Sequence, residues 1–194
     1  NKMNLNEFNS LIDLYFYQAN KQNSKNDFLE WLNPKNRKKF NWGETSSNIY
    51  KLAKKLKENI KEGDRCLLVS ENRPEWLISD IAIMLAGGIT VPAYTTYIEK
   101  DYKYLIEDCE PSIIIVSSEE MHDKLKNIIK EKAFIIKVIT FEKIKNIDYK
   151  NKYLDFNFII SNNLEENDKI KNLNLKRNSP ACIIYTSGTG GNPK

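Results

Sequence analysis

The stretch with the clearest capacity for chemistry is "ACIIYTSGTGGNPK", residues 181–194. It runs from an apolar segment into hydroxyls, three glycines, a proline and a lysine. Glycine lets a backbone approach a ligand closely and leaves N–H groups free to point at an anion. Thr186, Ser187 and Thr189 add hydroxyl donors, and Lys194 adds a positive charge on a long stem. Such donors suit a polyphosphate, which carries several negative charges and many acceptor oxygens. Two common phosphate loops do not fit. The Walker A pattern needs Gly-Lys-Ser/Thr, and here Lys194 follows Pro193. The pattern G-x-G-x-x-G begins at Gly188 but meets Pro193 where its third glycine should stand. A flexible glycine turn is the plain alternative. The full string Tyr-Thr-Ser-Gly-Thr-x-Gly-x-Pro-Lys is much more specific than a glycine triplet.

Other reactive residues offer less. Cys66, Cys109 and Cys182 are odd in number and far apart, with no metal-ligand spacing. This pattern favours a reducing, cytoplasmic setting. His122 is the only histidine. It lies in the polar stretch "SSEEMHDKLK" and is expected on an exposed helix surface, without partners for a zinc site or a Ser-His-Asp triad. The string "ENRPEW" mixes charge and aromaticity, and its expected role is structural: Arg73 and Glu75 at a helix start, with Trp76 packed beneath. Trp31 and Trp42 are expected to pack the opening strands against the first helices.

The elements that would position the closing loop follow from periodicity. Leu5, Phe8, Leu11, Ile12, Tyr15, Phe16 and Ala19 predict an opening helix from Leu5 to about Ala19. Two short strands are expected at Asp27–Leu32 and Lys39–Trp42, around a Pro-Lys-Asn turn. A helix over about Glu44–Ile60 carries one apolar stripe. An alternation then begins. "RCLLVS" reads as a strand buried on both faces. "RPEWLISDIAIMLAGG" reads as a buried helix, with Pro74 in its first turn and Gly87-Gly88 at its end. "ITVPAY" reads as a strand whose ladder Pro92 limits. "EKDYKYLIEDC" is an amphipathic helix, "SIIIVS" a strand, "EEMHDKLKNIIKEK" one helix, and "FIIKVIT" a third apolar run. A short helix is expected near Tyr153–Ser161, and "ACIIYTS" is expected to be a strand feeding the glycine loop. Such alternation predicts an α/β fold, a mainly parallel sheet with helices on both faces. A loop after such a strand emerges where these sheets place their ligands. Nothing demands a second domain.

Composition narrows the function classes. The chain has 194 residues, is 41% hydrophobic and 29% charged, and fits a globular domain. No run of about 18 apolar residues reads as a transmembrane helix, and the first residues lack the pattern of a signal peptide. The sequence begins at Asn1 rather than at an initiator methionine, which reads as a clipped N-terminus. The net charge of +4 comes almost wholly from lysines interleaved with acids. That pattern marks solvated helix faces rather than a nucleic-acid surface. Oligomeric state is not legible.

At the glycine loop the sequence resembles a known family. "YTSGTGGNPK" is similar to the ATP phosphate-binding signature of the AMP-forming acyl-CoA synthetases and their adenylating relatives. "FNWGETSSNIYKLAKKLKENIKEGDR", "LLVSENRPEWLISDIAIMLAGGITVPAYTT" and "YLIEDCEPSIIIVSS" resemble the family's N-terminal segments, in order. The second and third resemble its long-chain fatty acyl subgroup in particular. Gly190 stands where most members carry Thr, as in a bacterial branch of long-chain fatty acid–CoA ligases. The resemblance implies residues 1–194 as part of the N-terminal AMP-binding domain, an incomplete N-terminal domain of the adenylate-forming fold. It implies a two-step reaction with ATP, a fatty acid and coenzyme A, assisted by Mg²⁺. Thr186, Ser187, Gly188, Thr189, Gly190, Gly191 and Lys194 are then the ATP-binding residues, Tyr185 packs below the loop, and Tyr94–Tyr97 line the approach to the nucleotide or acyl site. No residue is assigned to Mg²⁺, and no complete catalytic set is expected in these 194 residues, which are expected to be inactive alone. The implied location is cytoplasmic, compatible with contact at the inner face of the membrane. Two alternatives stay open: an adenylating ligase for a medium-chain, aryl or amino acid, and a non-enzymatic nucleotide-binding or interaction module.

Overall fold

The uninterrupted apolar runs form the middle of one sheet, because a strand with no polar alternation needs cover on both faces. The computed structural model describes residues 3–170 and 175–186. Its main sheet has five parallel strands: β3 (Arg65–Val69), β4 (Ile89–Ala93), β5 (Ile113–Val116), β6 (Lys137–Thr140) and β7 (Tyr153–Asp155), in the order β4-β3-β5-β6-β7. Two further strands, β1 (Asp27–Trp31) and β2 (Lys38–Asn41), form a separate antiparallel hairpin.

The period of two divides each central strand between two cores. Cys66, Leu68, Ile113, Ile115 and Ile139 face α2 (Trp42–Lys57), α3 (Pro74–Leu85) and α7 (Phe156–Ser161), with α1 (Leu11–Lys21) packed beyond. Leu67, Val69, Ile114, Val116 and Val138 face α4 (Glu99–Cys109), α5 (Glu119–Asp123) and α6 (Lys126–Glu131). The chain steps from β3 to β4 through a helix on one face, then crosses back to β5 through a helix on the other. Right-handed crossovers require this change of face when the direction of travel along the sheet reverses.

The expected α/β architecture is therefore present, and its departures have local causes. The opening helix starts at Leu11 rather than Leu5, because Ser10 is extended and its hydroxyl accepts from Asp13 N–H at 3.2 Å. Leu5–Glu7 forms only a 3-10 turn. Trp42 belongs to α2 rather than to a strand. Asn41 Oδ1 accepts from Glu44 N–H at 2.7 Å, and Glu44 accepts from Asn41 N–H at 2.9 Å, a capping box that starts the helix early. The predicted helix after β5 is two short ones, interrupted at Lys124 and Leu125. The predicted Tyr153–Ser161 helix begins with strand β7, because Asp155 caps at the junction and accepts from Asn157 N–H at 2.9 Å.

Candidate functional site

β3, β4 and β5 end level with one another: Val69 pairs with Ala93 on one side and with Val116 on the other. Their successors, Ser70-Glu71-Asn72, Tyr94-Thr95 and Ser117, crowd one edge of the sheet. The chain leaves β3 toward β4 and leaves the neighbouring β5 toward β6, so connections run in opposite directions from these two adjacent carboxyl ends. That is where doubly wound sheets open a crevice for ligands. A cleft of about 480 Å³ lies at this edge, lined by Ser70, Glu71, Asn72, Trp76, Pro92, Ala93, Tyr94, Thr95, Ile184 and Tyr185. Its size is that of a small-molecule site. Of the Tyr94–Tyr97 run, Tyr94 and Thr95 line this cleft.

Residues 181–186 reach the cleft along the outer edge of β4. Thr90 N–H donates to Ala181 O at 3.2 Å, and Ile183 N–H donates to Thr90 O at 2.9 Å. These bonds make one parallel bridge, Thr90 with Cys182, and no strand. The expectation of a strand over "ACIIYTS" is thus corrected. On the outer edge of β4 the next residue due to donate is Pro92, which has no N–H. The ladder stops after one rung, leaving Ile184 exposed at 61%.

Tyr185 then turns inward. It is buried among Leu105, Ile106, Cys109 and Val69, and its hydroxyl donates to Asp108 Oδ2 on α4. Burial, followed by the bond to Asp108, pushes its hydroxyl above the usual phenol range. It is packed in the core and keeps its proton.

The cleft is braced by charges at the opening between β3 and β5. Arg73 donates to Glu75, to Glu142 Oε1 at 2.8 Å and to Glu71 Oε1 at 3.1 Å, while Ser117 Oγ donates to Glu71 Oε2 at 2.8 Å. The guanidinium stacks on Trp31, 4.1 Å from the ring centroid. Burial alone would pull the Arg73 guanidinium down; the bonds and charges of Glu142, Glu75 and Glu71 outweigh it and hold Arg73 above its ordinary value. The structural role expected for Arg73 and Glu75 is the one seen. Trp42 stacks on Phe28 at 3.6 Å, tying the hairpin to α2 as expected.

The Tyr94–Thr95 wall is held from beneath. The buried Tyr102 hydroxyl donates to Tyr94 O, and Lys124 Nζ donates to Thr95 O at 2.7 Å. His122 is corrected from exposed to buried: it is 4% exposed, and its Nε2 lies 2.7 Å from Tyr153 Oη. The short helix α5 lies against the end of β7, and Tyr153 supplies the polar partner that the local sequence did not reveal. Cys66 and Cys109 are buried and Cys182 is exposed. Burial pushes the two buried thiols up to about 12, so neither is a thiolate near neutrality.

Of the residues predicted to bind phosphate, Thr186 is exposed immediately after the buried Tyr185. Ser187, Gly188, Thr189, Gly190, Gly191 and Lys194 lie outside the described residues. Glu71, Ser117, Glu142, Asp108, Tyr102 and Lys124 escaped the sequence reading. The partners of Ser117, Glu142, Asp108 and Lys124 lie 29 to 77 positions away, and no short motif signals such pairs. Among the described residues no group of three or more His, Cys, Asp and Glu side chains is placed to hold a metal ion. Among them no helix is long and apolar enough to cross a membrane.

The family described as AMP-binding enzyme matches residues 16–194. The chain is 28% identical over 155 residues to the long-chain-fatty-acid–CoA ligase ACSBG1 of Homo sapiens, covering 76% of this chain and 21% of that protein. It is 30% identical over 161 residues to the long-chain-fatty-acid–CoA ligase ACSBG2 of Mus musculus, covering 77% of this chain and 24% of that protein. The chain therefore spans under a quarter of these relatives. Among solved structures, the anthranilate CoA ligase AuaEII in complex with anthranoyl-AMP superposes with a TM-score of 0.82, at 19% identity, over 98% of this chain and 35% of that one. The luciferase-like enzyme from the nonluminescent mealworm Zophobas morio gives 0.77 at 19% identity, over 100% and 43%. Both share this fold.

Proposed function

The chain belongs to the AMP-binding enzyme family, and from that premise we propose that it is the N-terminal part of an AMP-forming long-chain fatty acid–CoA ligase. The whole enzyme would join a fatty acid to coenzyme A with ATP, through an acyl-adenylate, releasing pyrophosphate and AMP. The observation that carries this reading is the meeting of two features at one sheet edge. The segment leading into the Thr-Ser-Gly-Thr-Gly-Gly loop arrives beside a cleft at the carboxyl ends of β3 and β4. The long-chain acid is favoured by the names of ACSBG1 and ACSBG2, and the cleft walls of Trp76, Tyr94 and Ile184 are compatible with it.

The donor set suits ATP. Backbone N–H groups over Ser187–Gly191, the hydroxyls of Thr186, Ser187 and Thr189, and the ammonium of Lys194 would bind the phosphates. As pyrophosphate leaves, these donors would meet its growing negative charge without first reorganising. No protein ligand is assigned to the Mg²⁺ that would accompany ATP. The chain covers 21% of ACSBG1, so these 194 residues are expected to make no acyl-CoA alone. A cytoplasmic enzyme working on a lipid substrate, with contact at the inner membrane face, completes the reading.

The test is pyrophosphate release by the intact gene product across acids of different length and type. Release driven by long-chain acids, with thioester formed only when coenzyme A is added, is the expected result. Release driven instead by aryl, medium-chain or amino acids would move the assignment to another ligase of the family. No acid-dependent release at all would leave a binding module.

A further inference from the structure

Between the bridge at Cys182 and the loop, Tyr185 is the sole buried residue among the described residues 182–186. Cys182, Ile183, Ile184 and Thr186 are all exposed. Tyr185 stands immediately before Thr186, the first predicted phosphate donor, and ties this stretch into the core. That side chain is fixed by its packing and by the bond from its hydroxyl to Asp108. The opposite cleft wall hangs from the same helix: Tyr102, also on α4, donates to Tyr94 O. One helix thus carries an anchor for each wall.

We propose that Asp108 is a positioning residue for the nucleotide cleft, acting through Tyr185 to set where the phosphate loop begins relative to the Tyr94–Thr95 wall. The chemistry of the pair supports this. A tyrosine ring can fill an apolar site by itself, and its part-buried hydroxyl is directed to Asp108. An ionised carboxylate makes a shorter and stronger bond than a neutral acceptor. Asp108 itself is exposed on α4, so its loss leaves no hole in the core. Its consequence should appear in the placement of the strap more than in the stability of the sheet. A shift of about 1 Å at a donor is enough to cost a large factor in a reaction that depends on alignment.

The inference rests on the ligase reading, and the experiment separates the two. In the intact gene product, Asp108→Ala and Tyr185→Phe should each raise KM for ATP about tenfold, roughly the worth of one charge-assisted bond. KM for the acid should stay unchanged. The double variant should be no worse than either single one, because both remove the same bond. Asp108→Asn, which keeps an acceptor, should stay within about threefold of wild type, given the weaker neutral bond. Effects that multiply independently, or an equal rise in both KM values, would overturn the proposal. A second readout needs no reaction: amide hydrogen exchange over residues 182–186 should quicken in Asp108→Ala, with α4 unchanged. Unaltered exchange there would overturn the pin even if the enzyme is a ligase. A wild-type protein without acid-dependent pyrophosphate release would sink the ligase reading and leave the exchange arm to judge the pin.

Discussion

His122 shows how much one buried side chain changes a residue-level reading. Burial holds its imidazole below the ordinary value of 6.5, and nearby Lys126 pulls the same way while Asp123 and Glu119 only partly oppose. The folded state therefore prefers the neutral ring. Its contribution to stability is complete above the unfolded value and declines as pH falls through about 6.5 toward the lower folded value. His122→Gln removes the titration and can still meet Tyr153, so its melting temperature should fall less between pH 7 and pH 5 than that of wild type. Equal slopes for the two proteins would show that His122 is not the responsive group. At Gly190 the expectation runs the other way. A threonine there adds one hydroxyl, and Gly190→Thr should leave ATP turnover of the intact enzyme within about tenfold, more than the worth of one ordinary bond. A larger loss would mean that the glycine is required by the backbone.

Element boundaries were set by single polar residues. Ser10, Asn41 and Asp155 each supply the cap that fixes a helix start, and all three stand in the sequence as readable N-cap types. The reading missed them by following apolar spacing alone. Pro92 is the reverse case: its effect on β4 was legible, yet its consequence for residues 181–186 required knowing that they dock on that edge. The end of α3 gives a test at this scale. Gly87 takes φ of 88°, and Gly88 N–H returns to Ile83 O at 2.9 Å, the wrap-around bond of a glycine-terminated helix. The space where a Cβ would go is open to 3.8 Å, so Gly87→Ala should cost about 1–2 kcal/mol from backbone strain alone. Gly87→Asn should cost less. Chemical denaturation of the two variants checks the order.

Across the whole molecule, Arg73 links parts that are far apart in sequence. It joins the end of β3, the start of α3, the segment after β6 at Glu142 and the hairpin at Trp31. Removing it leaves the buried Glu75 carboxylate, whose side chain is 1% exposed, with only the longer 3.9 Å ion pair to Lys38 Nζ among the described residues. Arg73→Ala should therefore destabilise by about 3–5 kcal/mol, whereas Arg73→Met with Glu75→Leu should recover most of that loss. Denaturant midpoints decide between them, and a double variant as unstable as the single one would show that the hydrogen bonds rather than the charges matter. The sequence by itself determined the α/β class, the succession of most elements and the family resemblance of the glycine loop. These rest on periodicity and on residues adjacent in the chain, which local physics can read. Only the tertiary structure decided that β7 pairs with β6, that residues 181–186 make one rung instead of a strand, and that Asp108 holds Tyr185. Each of those depends on which distant groups arrive at the same sheet edge. A single sequence carries no local signal of such an encounter, because the partners meet only after the chain has folded.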